Sequence, residues 1–74
     1  MTHLLDVKGL ACPLPILRAK KQLKSLSPGE ELEVLATDPG SVKDFDAFCN
    51  VTGHLLVTSD EADGVYRFII QKAA

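Results

Sequence analysis

The stretch GLACPLPIL, residues 9–17, sets a lone cysteine, Cys12, directly before two prolines, Pro13 and Pro15, at the mouth of an otherwise helical segment. Proline is tolerated in the first turn of a helix, where backbone N–H groups have no intrahelical partner. With Cys12 counted as the N-cap, Pro13 falls at N1, Leu14 at N2 and Pro15 at N3. The prolines fix φ and stiffen the entry, which leaves the Leu14 N–H as the donor best placed to reach the Cys12 sulfur. A thiolate there sits at the positive end of the helix macrodipole, with Lys8 and Lys20 close in sequence. The expectation is a thiol pKa below the usual ~8.5 and a nucleophile available near neutral pH. Withholding donors also limits how strongly the thiolate is held, which preserves nucleophilicity.

Several chemistries do not fit this cysteine. A cysteine protease needs a base, and only His3 and His54 are available, with no evident acid partner. A thioredoxin-type site needs C-x-x-C, and here the second position is Pro15. Cys12, Cys49, His3 and His54 have no short metal-knuckle spacing, so no metal site and no cofactor are expected. A single thiolate on a rigid, accessible tip suits attack on a partner's sulfur and covalent carriage of what it takes. Gly9 and Ala11 favour an open loop over a buried cysteine in a well-capped helix start. Cys49 follows Phe48 on an apolar helical stripe and reads as a small buried hydrophobe.

The elements that must hold Cys12 follow from periodicity. HLLDV (3–7) reads as a strand. PLPILRAKKQLKSL (13–26) carries Ile16, Ala19, Leu23 and Leu26 at helical spacing, with Leu17 widening the stripe. Arg18, Lys21 and Lys24 make a basic face, and SPGE (27–30) stops the helix. ELEVLAT (31–37) alternates as a strand. DPGS (38–41) then opens a second helix with Asp38 as N-cap and Pro39 at the first helical position. Val42, Phe45, Phe48 and Cys49 form its apolar stripe, and Gly53 ends it. HLLVTS (54–59) and VYRFIIQK (65–72) are two further strands, joined through DEADG with its Asp-Gly hairpin signal.

The order is βαβαββ. Crossovers of one hand place both helices on one face of the sheet, a two-layer α/β sandwich of the α+β kind. The other face is partly bare, and Leu35, Leu56, Ile69 or their neighbours are expected there, as a docking surface or as scattered surface hydrophobes.

Seventy-four residues, 46% of them hydrophobic, make one domain spanning 1–74. No apolar run or leader-like N-terminus suggests a membrane span or export, and two cysteines are too few for a disulfide scaffold. The expected location is the cytoplasm. The net charge of −2 is unevenly spread: Lys8, Arg18, Lys20, Lys21 and Lys24 crowd the first third, while acids dominate residues 30–63. Such asymmetry orients charged partners. The negative balance and only four aromatics, Phe45, Phe48, Tyr66 and Phe68, speak against a nucleic-acid-binding module. A thiol redox regulator is the other alternative, and it requires Cys12 and Cys49 within disulfide range.

LDVKGLACPLP resembles the Leu-Asp-x-x-Gly-Leu-x-Cys-Pro-x-Pro signature of the TusA/SirA-like sulfur-carrier family. The similarity runs on through PGEELEV, DPGSVKDF, FCNVTGHLL and YRFIIQK, over residues 4–72. The resemblance implies a βαβαββ sandwich with a mixed four-stranded sheet. It implies that Cys12 takes sulfane sulfur as a persulfide, framed by Gly9, Leu10, Pro13, Leu14 and Pro15 of the motif. The implied donor is an IscS-type cysteine desulfurase or a rhodanese, and the implied acceptor a TusBCD or DsrE-like protein. The sulfur would serve tRNA 2-thiouridine formation or dissimilatory sulfur trafficking. This is sulfurtransferase-type relay, stoichiometric rather than turnover in the ordinary sense, by a monomer without direct nucleic-acid contact. Lys8, Arg18, Lys20, Lys21 and Lys24 beside Cys12 are the expected docking residues.

Overall fold

The computed structural model describes residues 2–73. Its elements run β1 (Thr2–Val7), α1 (Leu14–Lys24), β2 (Glu31–Ala36), α2 (Ser41–Thr52), β3 (Leu55–Ala62) and β4 (Val65–Gln71). The sheet order is β1-β2-β4-β3, with β1 parallel to β2 and β4 antiparallel to both β2 and β3. The sheet is therefore mixed and four-stranded, and α1 and α2 pack on one face of it, as expected.

Alternation along β2 buries Leu32, Val34 and Ala36. In register with them, β4 presents Phe68 and Ile70, and β1 presents Val7. Ala19 and Leu23 of α1 and Phe45 and Cys49 of α2 close the core from above. Phe45 stacks on Phe68 with ring centroids 4.7 Å apart, so the two largest buried side chains tie α2 to the central strand β4. Truncating such a buried aromatic costs about 3–5 kcal/mol. One buried hydroxyl among the described residues, Ser41 Oγ, has no partner.

The end of α1 and one residue of its stripe differ from the periodicity reading. α1 ends at Lys24 rather than 26, because the Ser25 and Leu26 N–H groups turn back to Gln22 and Leu23 in a tightened last turn. Leu26 still reaches the core from beyond the helix. Lys72 Nζ donates to the Leu23 carbonyl at 2.6 Å and completes that terminus. Leu17 does not widen the buried stripe; it is 54% exposed.

The open face carries Leu35 and Ile69, half-buried, as expected. Leu56 does not join them. It pairs with core residue Ile70 and packs on the helix side. The register shifts between Leu56 and Thr58, a bulge that sets Thr58 opposite Ile69 and Ser59 opposite Phe68. β3 also runs three residues past Ser59, through Ala62, which pairs with Val65 across the two-residue loop Asp63-Gly64. Asp63 (φ 51°) and Gly64 (φ 79°) both take left-handed backbone, as a tight hairpin of this twist requires. Arg67 crosses the open face to Glu33 at 2.7 Å and to Asp60 at 3.6 Å. No described helix is long and apolar enough to cross a membrane.

Candidate functional site

Parallel pairing of β1 and β2, with Val7 opposite Ala36, brings the carboxyl ends of both strands side by side. The loop after β1, which holds Cys12, therefore lies against the loop after β2. Two hydrogen bonds fasten them. The Gly9 N–H donates to Thr37 Oγ1 at 2.9 Å. The Cys12 N–H donates to Asp38 Oδ2 at 2.7 Å. Gly9 sits at φ 82°, a turn conformation that a side chain would strain. Leu10 packs partly into the core and pins the loop from beneath.

The Asp38 bond moves the helix start. With its N–H committed to Asp38, Cys12 lies outside α1; the N-cap is Pro13, and Leu14 and Pro15 are N1 and N2. The Leu14 N–H does not serve the sulfur, as it donates to the Ala11 carbonyl at 2.9 Å. Both prolines still occupy positions where a missing N–H costs little. Pro15 is buried, while Pro13 and Leu14 are exposed. The Cys12–Pro13 peptide is cis.

Asp38 is likewise not the N-cap of α2. That residue is Gly40, and the Asp38 carboxylate is drawn away to bridge Cys12 and, through Oδ1, the Gly40 N–H at 3.2 Å. Asp44, in the first turn of α2, also lies close to Gly40. A Cβ at Gly40 would lie 3.7 Å from both Asp38 oxygens and 3.8 Å from Asp44 Oδ2. Two carboxylates thus face the cysteine loop.

Their charge overturns the expected activation of the thiol. Cys12 is exposed, yet a hydrogen bond to Asp44, slight desolvation and the negative charges of Asp44 and Asp38 hold its pKa above the ordinary thiol value. The expectation of a lowered pKa counted Lys8 and Lys20 and the helix dipole. Instead Lys8 faces Asp6 at 3.9 Å, Cys12 lies one residue before the N-cap, and the charges that act on its thiol are negative. Two members of the acidic half of the sequence, Asp38 and Asp44, therefore lie beside Cys12.

Beside Cys12 runs a shallow groove of about 370 Å³ between α1 and α2, lined by Pro13, Ile16, Ala47, Phe48 and Val51, with Asp44 at its mouth. Val51 is 86% exposed. Leu14 and Leu17 also stay exposed on α1. Arg18, Lys20, Lys21 and Lys24 are exposed and make no ion pair among the described residues.

Cys49 lies in the core, where burial, with some help from Asp46, pushes its thiol up to about 11. The two cysteines are not joined. The sequence reading missed Asp38 and Asp44 as neighbours of Cys12 and missed Val51 as a groove residue. Val51 stands three and four residues after Phe48 and Ala47, a spacing that extends the apolar side of α2.

A family described as Sulfurtransferase TusA matches residues 3–72. The chain is 59% identical over 69 residues to the sulfur carrier protein TusA of Allochromatium vinosum, covering 93% of this chain and 91% of that one. It is 57% identical over 67 residues to a Neisseria meningitidis protein named a putative sulfur carrier protein, with 90% of each chain covered. In structure it is similar to the SirA-like protein of Desulfitobacterium hafniense, with a TM-score of 0.85, 29% identity and 100% of both chains covered.

Proposed function

The chain belongs to the TusA sulfurtransferase family, and we propose that it is a sulfur carrier that bears sulfane sulfur as a persulfide on Cys12. The observation that carries the reading is the exposed Cys12 sulfur on a loop fastened at Gly9 and Cys12, beside an open groove and apart from the chain's other thiol.

The transfer is an exchange of sulfur between thiols. The Cys12 thiolate bonds to the terminal sulfur of a donor persulfide, R–S–SH, as the donor's S–S bond breaks. The donor leaves as R–S⁻ and recovers the proton lost by Cys12. The sum is Cys12–SH plus R–S–SH giving Cys12–S–SH plus R–SH, with no net oxidation and no cofactor. Delivery to an acceptor thiol is the same exchange in reverse. The stiff, proline-entered turn keeps the sulfur projecting, which suits a site that must fit one active centre after another.

The proposed donor is a cysteine desulfurase or rhodanese, and the proposed acceptor a TusBCD or DsrE-like protein feeding tRNA thiolation or sulfur trafficking. The proposed setting is the reducing cytoplasm, which keeps Cys12 a thiol. Arg18, Lys20, Lys21 and Lys24 are the proposed docking cations. Burial of Cys49 in the core counts against a regulator built on a Cys12–Cys49 disulfide.

The test is the intact mass after incubation with a cysteine desulfurase and cysteine. The carrier reading expects a gain of one sulfur atom that reductant removes and that Cys12→Ser lacks. A loss of two hydrogens on mild oxidation, with no sulfur uptake, would instead support the regulator.

A further inference from the structure

Two carboxylates lie beside Cys12. Asp38 holds its backbone N–H at 2.7 Å. Asp44 shares with it the mouth of the groove between the helices, whose other walls, Pro13, Ile16, Ala47, Phe48 and Val51, are apolar. Both carboxylates flank Gly40 at the start of α2. No cation offsets them among the described residues: Lys8 turns to Asp6, and the charged groups that act on the thiol, Asp44 and Asp38, both favour its neutral form.

We propose that Asp44 is a positioning residue that keeps Cys12 as the neutral thiol in the free protein and so reserves its reaction for a sulfur donor that sets positive charge against that carboxylate. The inference rests on the carrier reading above. The thiolate is the nucleophile, and a thiolate beside a carboxylate is disfavoured. A cationic side chain arriving with the donor pairs with Asp44, removes the penalty and favours loss of the proton as the sulfurs meet. The exchange itself stays as written above, with the proton passing to the departing donor thiolate. An idle Cys12 kept neutral is also less open to oxidation, which follows thiolate character.

The test uses small disulfides of different charge, each of which forms a mixed disulfide with Cys12 and releases one thiol. Rates with cystamine (cationic), bis(2-hydroxyethyl) disulfide (neutral) and dithiodiglycolate (anionic) are compared at pH 7 and low salt. The pH midpoint of iodoacetamide alkylation is measured in parallel, with Cys12→Ser as background. The expected result is faster exchange of the wild type with cystamine than with dithiodiglycolate. In Asp44→Asn that preference narrows several-fold and the alkylation midpoint moves to lower pH, each full unit adding about tenfold in thiolate. Asp44→Glu keeps both wild-type properties. A purely structural role for Asp44 would move neither readout. Asp38→Asn is a second variant, expected to move both readouts in the same direction as Asp44→Asn. A charge preference or a midpoint that stays put in Asp44→Asn overturns the proposal, whatever Asp38→Asn does. These reagents bring no sulfane sulfur, so they judge Asp44 even if the wild type never loads sulfur, an outcome that would count against the carrier reading alone.

Discussion

The Asp38 carboxylate accepts the Cys12 N–H at 2.7 Å, a bond that spans 26 residues of sequence and joins the two loops at the carboxyl ends of the parallel strands. It fixes where α1 begins, where the sulfur sits and which charges surround it. The same carboxylate also takes the Gly40 N–H at the entry to α2.

Asp38→Ala removes the acceptor of both N–H groups. Water replaces part of what is lost at this half-open position, so the expected cost is about 1–2 kcal/mol of stability. For a domain of this size that is a fall in Tm of about 4–8 °C for each kcal/mol. Thermal unfolding followed by circular dichroism measures it. An unchanged Tm would mean that the Cys12 loop is held by Gly9, Thr37 and Leu10 alone.

Much of this arrangement could be read from the residue order, because core-facing positions repeat at fixed periods. β2 and α2 appear where Leu32, Val34 and Ala36, and Phe45 and Cys49, place them. The Asp-Gly pair marks the β3–β4 turn. Leu55 and Leu56 are another matter. Adjacent leucines have no phase of their own, and a bulge between Leu56 and Thr58 decides which faces the helices. The site was readable only in part. Cys12 and its prolines announce themselves locally, but Asp38 and Asp44 act on Cys12 through tertiary contact. A capping role for Asp38 is the sound local inference; the Cys12 N–H wins the carboxylate instead.

Cys49 supplies a pH signature. Its thiol pKa is about 11 in the fold against an ordinary 9.0, chiefly through burial. A raised acid pKa means that the folded state favours the protonated form. The unfolded chain therefore ionises first as pH climbs. The stabilisation is complete below pH 9 and is lost progressively between 9 and about 11. Urea midpoints measured across that interval fall in the wild type, and the fall is smaller in Cys49→Ala. An equal fall in both would assign the alkaline loss to other groups.

The cations of α1 make a separate prediction. Reversing Lys20, Lys21 and Lys24 to Glu removes the exposed basic face without touching the core. If that face steers the protein onto a donor, loading from a donor enzyme slows about tenfold or more at low salt, and the difference shrinks as salt rises. Loading from a small uncharged persulfide changes far less. Equal rates with the donor enzyme at low salt would remove the basic face from docking.

The central claim is that sulfur rides on Cys12, and the most direct measurement is its position after loading. The protein is loaded from a desulfurase and cysteine, separated from the donor, blocked with an alkylating agent and cut with trypsin. The peptide spanning residues 9–18 contains Cys12, and the peptide spanning 44–67 contains Cys49. The account predicts one additional reducible sulfur on the 9–18 peptide, which disappears when an acceptor thiol is added before blocking. Extra sulfur on the 44–67 peptide, or none on either, would contradict it.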